Sequence, residues 1–278
     1  MTNRSSGERA TAGGVVSTRR SLLLGAATTV LGGGAVAGSA TATEQPSIEE
    51  TTWTLRSGTR YETPVYVREA AEPGETVVVL GGVHGSELAG IEAAHSVREW
   101  SFERGTVVVV PEANAPAVRE QTYSGPDGDL NQQFPPEGEP TTPIADAIWS
   151  LLVELEPTAV IDMHSSMGIW GSSRGPSGFG QAIFPGVAAD ARSIAARANR
   201  SLNGREIRPS EYGSAYEFTL GNTLAGAHPR LIHKVAVDLE CAGYLTEVTR
   251  HDTTLETRTE WSEAVAATLL ERHGIDVV

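Results

Sequence analysis

The sequence predicts an α/β fold with three layers, helices covering both faces of a mixed, mostly parallel sheet. Three observations lead there. Short β-branched runs that read as buried strands alternate with longer stretches of helical periodicity. The segments joining them carry most of the Gly, Pro, Asn and Gln, as connections at the ends of a sheet do. The 278 residues, less an N-terminal leader, leave about 235, enough for one large core and too few to require a second domain. We divide the chain into a leader, 1–42, and one domain, 43–278.

The elements follow in order. Residues 1–16 are polar, and Arg19-Arg20 then precede Leu22-Leu23-Leu24 and a Gly/Ala-rich apolar run to Gly38. Paired arginines before a weakly apolar run resemble a twin-arginine export signal, with small residues at Gly38-Ser39-Ala40 and Ala40-Thr41-Ala42 for cleavage. The expectation is export through the twin-arginine translocation machinery to an extracellular or cell-surface location. A retained N-terminal membrane anchor is the alternative, although a glycine-rich run of this length is marginal for a bilayer. Residues 43–52 read as a loose polar lead-in. Residues 76–80 (TVVVL) read as a strand, and 87–100 as a helix with Leu88, Ile91, Ala94 and Val97 on one side. Residues 106–110 form the next strand, stopped by Pro111, and 113–142 a long functional loop. A helix over 143–155 is capped by Thr142 and ended by Pro157, and 159–163 is a strand. A second glycine-rich loop covers 168–180. Helix 187–202, strand 234–239 and helix 260–272 complete the chain.

Charge and cysteine narrow the function. The chain carries −14; four arginines against Glu8 give the first 42 residues +3, so the rest carries −17. Lys234 is the only lysine among 21 bases. An acidic, lysine-poor surface suits a salt-rich, halophilic setting and offers no basic stripe for nucleic acid. Cys241 is the only cysteine, which excludes an internal disulfide and a cysteine-based zinc knuckle.

In an open α/β sheet the ligand site lies beyond the carboxyl ends of the strands. Just past those ends stand His84 and Glu87, then Glu112 and Asn114, then His164, then Glu240. His84 and Glu87 are three apart where strand passes into helix, with glycines around them that allow a sharp turn. Two histidines and one glutamate make a catalytic zinc set with one position left open. Alone, each has an ordinary explanation: an HxxE at a helix start is common, and a histidine at a strand end is usually just hydrogen-bonded. Together on one edge they point to a metal. Asp162 alternates with Met163 and can support a ligand histidine. Gly171-Ser172-Ser173-Arg174-Gly175 fits the serine-hydrolase pattern but lacks its strand-turn-helix setting. Cys241 reads as a buried small residue and His95 as structural. His228, His233, His251 and His273 are expected on the surface or in loops.

The segments HGSE, NAPA, DLNQQFP, DMHSS and VDLE, in this order over residues 72–245, resemble the succinylglutamate desuccinylase/aspartoacylase family of the zinc carboxypeptidase-like group. The resemblance implies that group's fold, one zinc per chain on His84, Glu87 and His164, and Glu240 as general base and then acid. It also implies that Asn131 and its neighbour Gln132 face the substrate. Where the family has DLNR this sequence has Gln132, and Gln121 is the best match to a second family arginine. A glutamine cannot form the paired ion pair that a guanidinium gives a carboxylate. The expected activity is zinc-dependent hydrolysis of the amide bond of an acylated amino acid or small amide. A carboxypeptidase-like peptidase and a non-catalytic metal-binding relative are the alternatives, and a small molecule is the expected partner.

Overall fold

The computed structural model describes residues 46–278, apart from 189 and 227; the leader with its export signal lies outside the described residues. An eight-stranded mixed sheet runs in the order β1-β2-β4-β3-β5-β8-β6-β7. Its strands are β1 (Ile48–Leu55), β2 (Thr63–Ala70), β3 (Glu72–Leu80), β4 (Arg104–Val110), β5 (Ala159–Ser166), β6 (Ala182–Pro185), β7 (Thr219–Leu220) and β8 (Ala242–Thr249). The central four, β4-β3-β5-β8, are parallel, and antiparallel pairing brings in β2 and β1 on one side and β6 on the other. Helices α1 (Leu88–Glu99), α4 (Ala191–Leu202) and α6 (Leu255–Arg272) pack on one face. Helices α3 (Pro143–Leu155) and α5 (Leu231–Asp238) pack on the other, and a short helix, α2 (Ala115–Glu120), packs against the loop that follows β3. This is the three-layer arrangement of helices on both faces of a mixed, mostly parallel sheet expected of the sequence.

Alternation of side chains splits the core in two. Val77, Val79, Ile161, Met163 and Tyr244 face α1 and α6, whereas Val78, Leu80, Val160, Phe184 and Leu245 face α3 and α5. The central strands are buried on both faces, which is why they read as unbroken apolar runs. Among the described residues no helix is long and apolar enough to cross a membrane.

Several elements differ from expectation. The polar lead-in over 43–52 instead enters β1, a half-exposed edge strand whose alternating side chains left too few apolar residues to see. The expected strand 234–239 is a helix, α5. Its start is held by Asn131, whose Oδ1 accepts from the Leu231 N–H at 3.2 Å. Its middle is held by Lys234, whose buried ammonium donates to Gly138 O and Asp238 Oδ2, both at 2.5 Å, and lies over the Trp149 ring. The true strand is the following stretch, β8. His233 is likewise not on the surface but buried in α5.

Candidate active site

The site forms where β3, β5 and β8 end. After β3 the chain turns through Gly81 and Gly82, where an added Cβ on Gly81 would lie 2.5 Å from Gly90 O. That close approach brings His84 and then Glu87 to the start of α1. Glu87 occupies the N-cap position with φ −99° and ψ 62°, and its side chain makes no capping bond. It is thereby free to reach the histidines. His164 comes from the last turn of pleat in β5 and is 1% exposed; His84 and Glu87 are 5% and 4% exposed.

The three side chains converge. His84 Nδ1 lies 3.0 Å from Glu87 Oε1, His164 Nδ1 lies 2.8 Å from Glu87 Oε2, and the two Nδ1 atoms are 3.1 Å apart. The outer nitrogens of both rings face carboxylates. His84 Nε2 is 3.0 Å from Asp129 Oδ1. His164 Nε2 is 2.9 Å from Asp162 Oδ2, close enough for charge pairing but not aligned as a hydrogen bond. The two Nδ1 atoms and the Glu87 carboxylate thus converge between three buried side chains, each of which offers one ligand atom. Donors around a tetrahedral zinc at roughly 2.0–2.1 Å stand roughly 3.3 Å apart. The cluster therefore fits a cation after opening by a few tenths of an ångström, and the rings are already oriented by carboxylates behind them.

Without a cation the electrostatics are lopsided. Burial opposes charge on His164, but Asp162 and Glu87 outweigh it and hold the imidazolium well above its ordinary value. Burial likewise opposes charge on His84 and is outweighed by Asp129 and Glu87, which raise it. Glu87 answers in the opposite direction: burial would raise it, yet the two histidines bring its carboxyl down to about 2. Asp129 is lowered in spite of burial by His84 and Gln132.

The expected site residues do not all meet. His84, Glu87 and His164 do. Glu240 does not: it is exposed, with φ 53°, two residues before β8 begins. At about 3.3 Å per strand residue it stands on the order of 20 Å from the cluster, toward the opposite ends of the strands. The expectation failed because it hung on a strand that is a helix. The buried acid is instead Glu247, whose Cα pairs directly with that of His164 across β5 and β8. Burial first, and then the Glu87 charge, push its carboxyl up to about 8, and Oε2 has no hydrogen-bond partner. Asn131 is buried with its oxygen committed to α5, and Gln132 is exposed with Nε2 donating to Asp129 Oδ2 at 2.7 Å. Gln121 caps the end of α2 in the left-handed region.

Sequence reasoning also missed Arg250. Its Nε donates to Ser165 Oγ at 2.9 Å and an Nη to Ser165 O at 3.0 Å, and that Nη is 3.7 Å from Glu87 Oε1. The Ser165 N–H in turn donates to Glu87 Oε2 at 3.1 Å. The eight residues AGYLTEVT, rich in β-branched and aromatic side chains, carried the signal for β8 and hence for Glu247 and Arg250.

Residues 73–171, which hold the cluster, match the succinylglutamate desuccinylase/aspartoacylase catalytic domain. This stretch of the chain is similar to that family's catalytic domain. Solved structures share the fold. One is the cell shape determinant Csd4 of Helicobacter pylori in its mDAP-bound form, described as a D,L-carboxypeptidase, with TM-score 0.60 and 20% identity, over 74% of this chain and 52% of that one. The product-bound ectoine utilization protein EutE (DoeB) of Ruegeria pomeroyi gives 0.58 and 16%, over 90% and 71%. A succinylglutamate desuccinylase from Silicibacter sp. TM1040 gives 0.56 and 14%, over 90% and 70%. The chain spans about half the length of the Csd4 structures it matches. Among curated proteins no sequence match reaches significance.

Proposed function

We propose that this protein is a metal-dependent hydrolase of carbon–nitrogen (amide) bonds, with one zinc ion held by His84 Nδ1, Glu87 and His164 Nδ1. The observation that carries the reading is Glu247, a buried carboxyl beside a three-donor cluster and not itself one of the donors. A zinc ion bound there would supply Lewis acidity, acidifying water and polarising the scissile carbonyl. Glu247 does the proton work. In its ionised form it takes a proton from the attacking water and later delivers it to the leaving amine nitrogen. Added positive charge at the cluster offsets Glu87 and Asp162, the carboxylates that oppose its ionisation, and so favours the form that accepts a proton. Asp129 and Asp162 hold the imidazoles in orientation, and Arg250 fixes Ser165, whose N–H braces Glu87.

The peptidase alternative draws support from the likeness to Csd4, but Gln132 offers a substrate carboxylate no guanidinium. The leader supports export through the twin-arginine machinery, and the −17 charge after it supports a salt-rich setting. The deciding experiment compares two glutamates. Glu247→Gln is expected to retain one zinc per chain and lose turnover by about 10² or more. Glu240→Gln is expected to leave both unchanged. Equal turnover in Glu247→Gln and the parent protein rejects the assignment.

A further inference from the structure

Tyr123 lies flat on His84, with ring centroids 3.8 Å apart and planes at 22°, yet it is 51% exposed. Both nitrogens of that imidazole already face carboxylates, Nδ1 toward Glu87 and Nε2 toward Asp129. The contact is therefore ring on ring, and a phenylalanine would make it equally well. The phenol hydroxyl takes no part in it and, among the described residues, has no hydrogen-bond partner.

The chain on either side of Tyr123 is pinned. Gln121, left-handed at φ 52°, ends α2, and the Thr122 N–H donates to Ala117 O at 2.9 Å. Thr122 Oγ1 donates to Ser124 O at 2.9 Å, and Gly125 and Gly128 exchange backbone bonds at 3.2 and 3.1 Å. Gly125 lies close against Asn114, where an added Cβ would fall 2.6 Å from Oδ1. The hydroxyl is thus a donor held in place before any ligand arrives, which is what makes a donor effective in a reaction.

The charges around that hydroxyl locate it. Burial and then Asp129, Glu87 and Glu247 push it up to about 12, and Arg230 opposes them. These groups come from four parts of the chain: the loop before residue 130, the start of α1, β8 and the start of α5. The hydroxyl stands in the field of both a proposed ligand, Glu87, and the proposed base, Glu247. Arg230 is set beside it by Asn131, whose Oδ1 accepts the N–H of the next residue, Leu231, at 3.2 Å. Its guanidinium makes no capping bond on α5. Gln132 and Arg250, by contrast, spend their donors on Asp129 and Ser165.

We propose that Tyr123 is a further catalytic residue, its hydroxyl donating a hydrogen bond to the amide carbonyl oxygen as that oxygen gains negative charge, with Arg230 adding positive charge behind it. The proposal rests on the hydrolase reading above. As the water oxygen adds to the carbonyl carbon, one C=O electron pair moves onto the carbonyl oxygen, where a fixed donor is worth most. The proton lost by the water passes to Glu247, and Tyr123 keeps its own.

The probe is methylphosphonate, a tetrahedral anion that imitates the reacting carbon, titrated by calorimetry into zinc-loaded protein. Tyr123→Phe keeps the stack on His84 and removes only the hydroxyl. Its zinc affinity and thermal melt are expected to match the parent, while methylphosphonate binds about tenfold more weakly, as loss of one bond to a charged group does. Arg230→Gln is expected to weaken the probe about threefold at low salt and less at high salt, since it removes a charge. On N-acetyl amino acids that the parent hydrolyses, Tyr123→Phe is expected to lower kcat about tenfold or more and to leave KM within about twofold. No binding of methylphosphonate to the parent, or an unchanged Kd in Tyr123→Phe, overturns the inference. An unchanged Kd in Arg230→Gln removes Arg230 from it. Tyr123-dependent binding together with unchanged turnover in Glu247→Gln keeps the donor and removes the proposed base. Tyr123-independent binding together with the expected loss in Glu247→Gln does the reverse.

Discussion

Asp129 illustrates how much of the site rests on one side chain that is not a ligand. It accepts from His84 through Oδ1 and from Gln132 through Oδ2, and its Oδ1 also receives the Asn131 N–H at 3.0 Å. Removing it frees the His84 ring to rotate and removes the charge that makes its inner nitrogen a better donor to a cation. Asp129→Ala is therefore expected to weaken zinc binding about 10–100-fold with little change in thermal stability, as measured by competition with a chelator. Unchanged affinity would mean that packing alone orients His84. The three proposed ligands were legible in the sequence because their residue types, the three-residue spacing and the strand-end positions all agree. Asp129 was not, since it lies in a loop where only folding brings it back to His84, 45 positions away. Gln132 was legible as a departure from the family, but its engagement with Asp129 appears only in three dimensions.

At the scale of elements, the junction of α1 with β5 sets the cluster's geometry, because α1 carries Glu87 at its start and β5 carries His164 near its end. Gly90 makes the junction possible: a Cβ there would fall 2.3 Å from Met163 O and 2.9 Å from Met163 C, backbone atoms that cannot swing aside. Alanine gains about 1 kcal/mol of helix propensity, yet overpacking of this kind costs about 1–3 kcal/mol. Gly90→Ala is expected to lower stability in urea melts and to weaken zinc binding, since the helix must back away from His164. Gly204, with nothing within 4 Å of its Cβ position, is the control, and Gly204→Ala is expected to be neutral or slightly stabilising. A Gly90→Ala protein as stable as the parent would show that α1 can shift without cost. The central strands and α1, α3, α4 and α6 could be read in outline from periodicity. The edge strands β1 and β7 could not, the first because it alternates with solvent on one side and the second because it has two residues. Helix α5 misled for a tertiary reason. Its KVAVDL core suits a strand, and only the bonds of Lys234 and the cap from Asn131, both reaching residues about a hundred positions away, select the helix.

Over the whole molecule, charge is distributed so that the interior of the site opposes what the surface tolerates. Exposed acids can be screened by salt, whereas Glu247, His84 and His164 are buried and pay for their protonation states in folding free energy. For Glu247 the folded value, about 8, lies above the ordinary glutamate value. Between the two the folded state holds a proton that the unfolded chain has released, so stability falls as pH rises across that window. For His84 and His164 the folded values are also raised, so their contribution is complete below the ordinary histidine value and is lost as pH climbs through the folded ones. Glu87 works at the other end: its folded value, about 2, lies below the ordinary one, so its contribution is present above that ordinary value and is lost as pH falls toward 2. Zinc-free protein is thus expected to be most stable in mildly acid solution and to weaken from about pH 5 to about pH 8. The Glu247 share has a slope of up to about 1.4 kcal/mol per pH unit, the worth of one proton. Glu247→Gln, neutral at every pH, is expected to flatten this decline and to leave the zinc-free protein more stable than the parent at pH 8. Denaturant melts with chelator present, from pH 5 to 8.5, measure both slopes. Parallel curves for the two proteins would show that the Glu247 carboxyl is ionised in the folded chain throughout, and a proton acceptor would then already stand ready before any cation arrives.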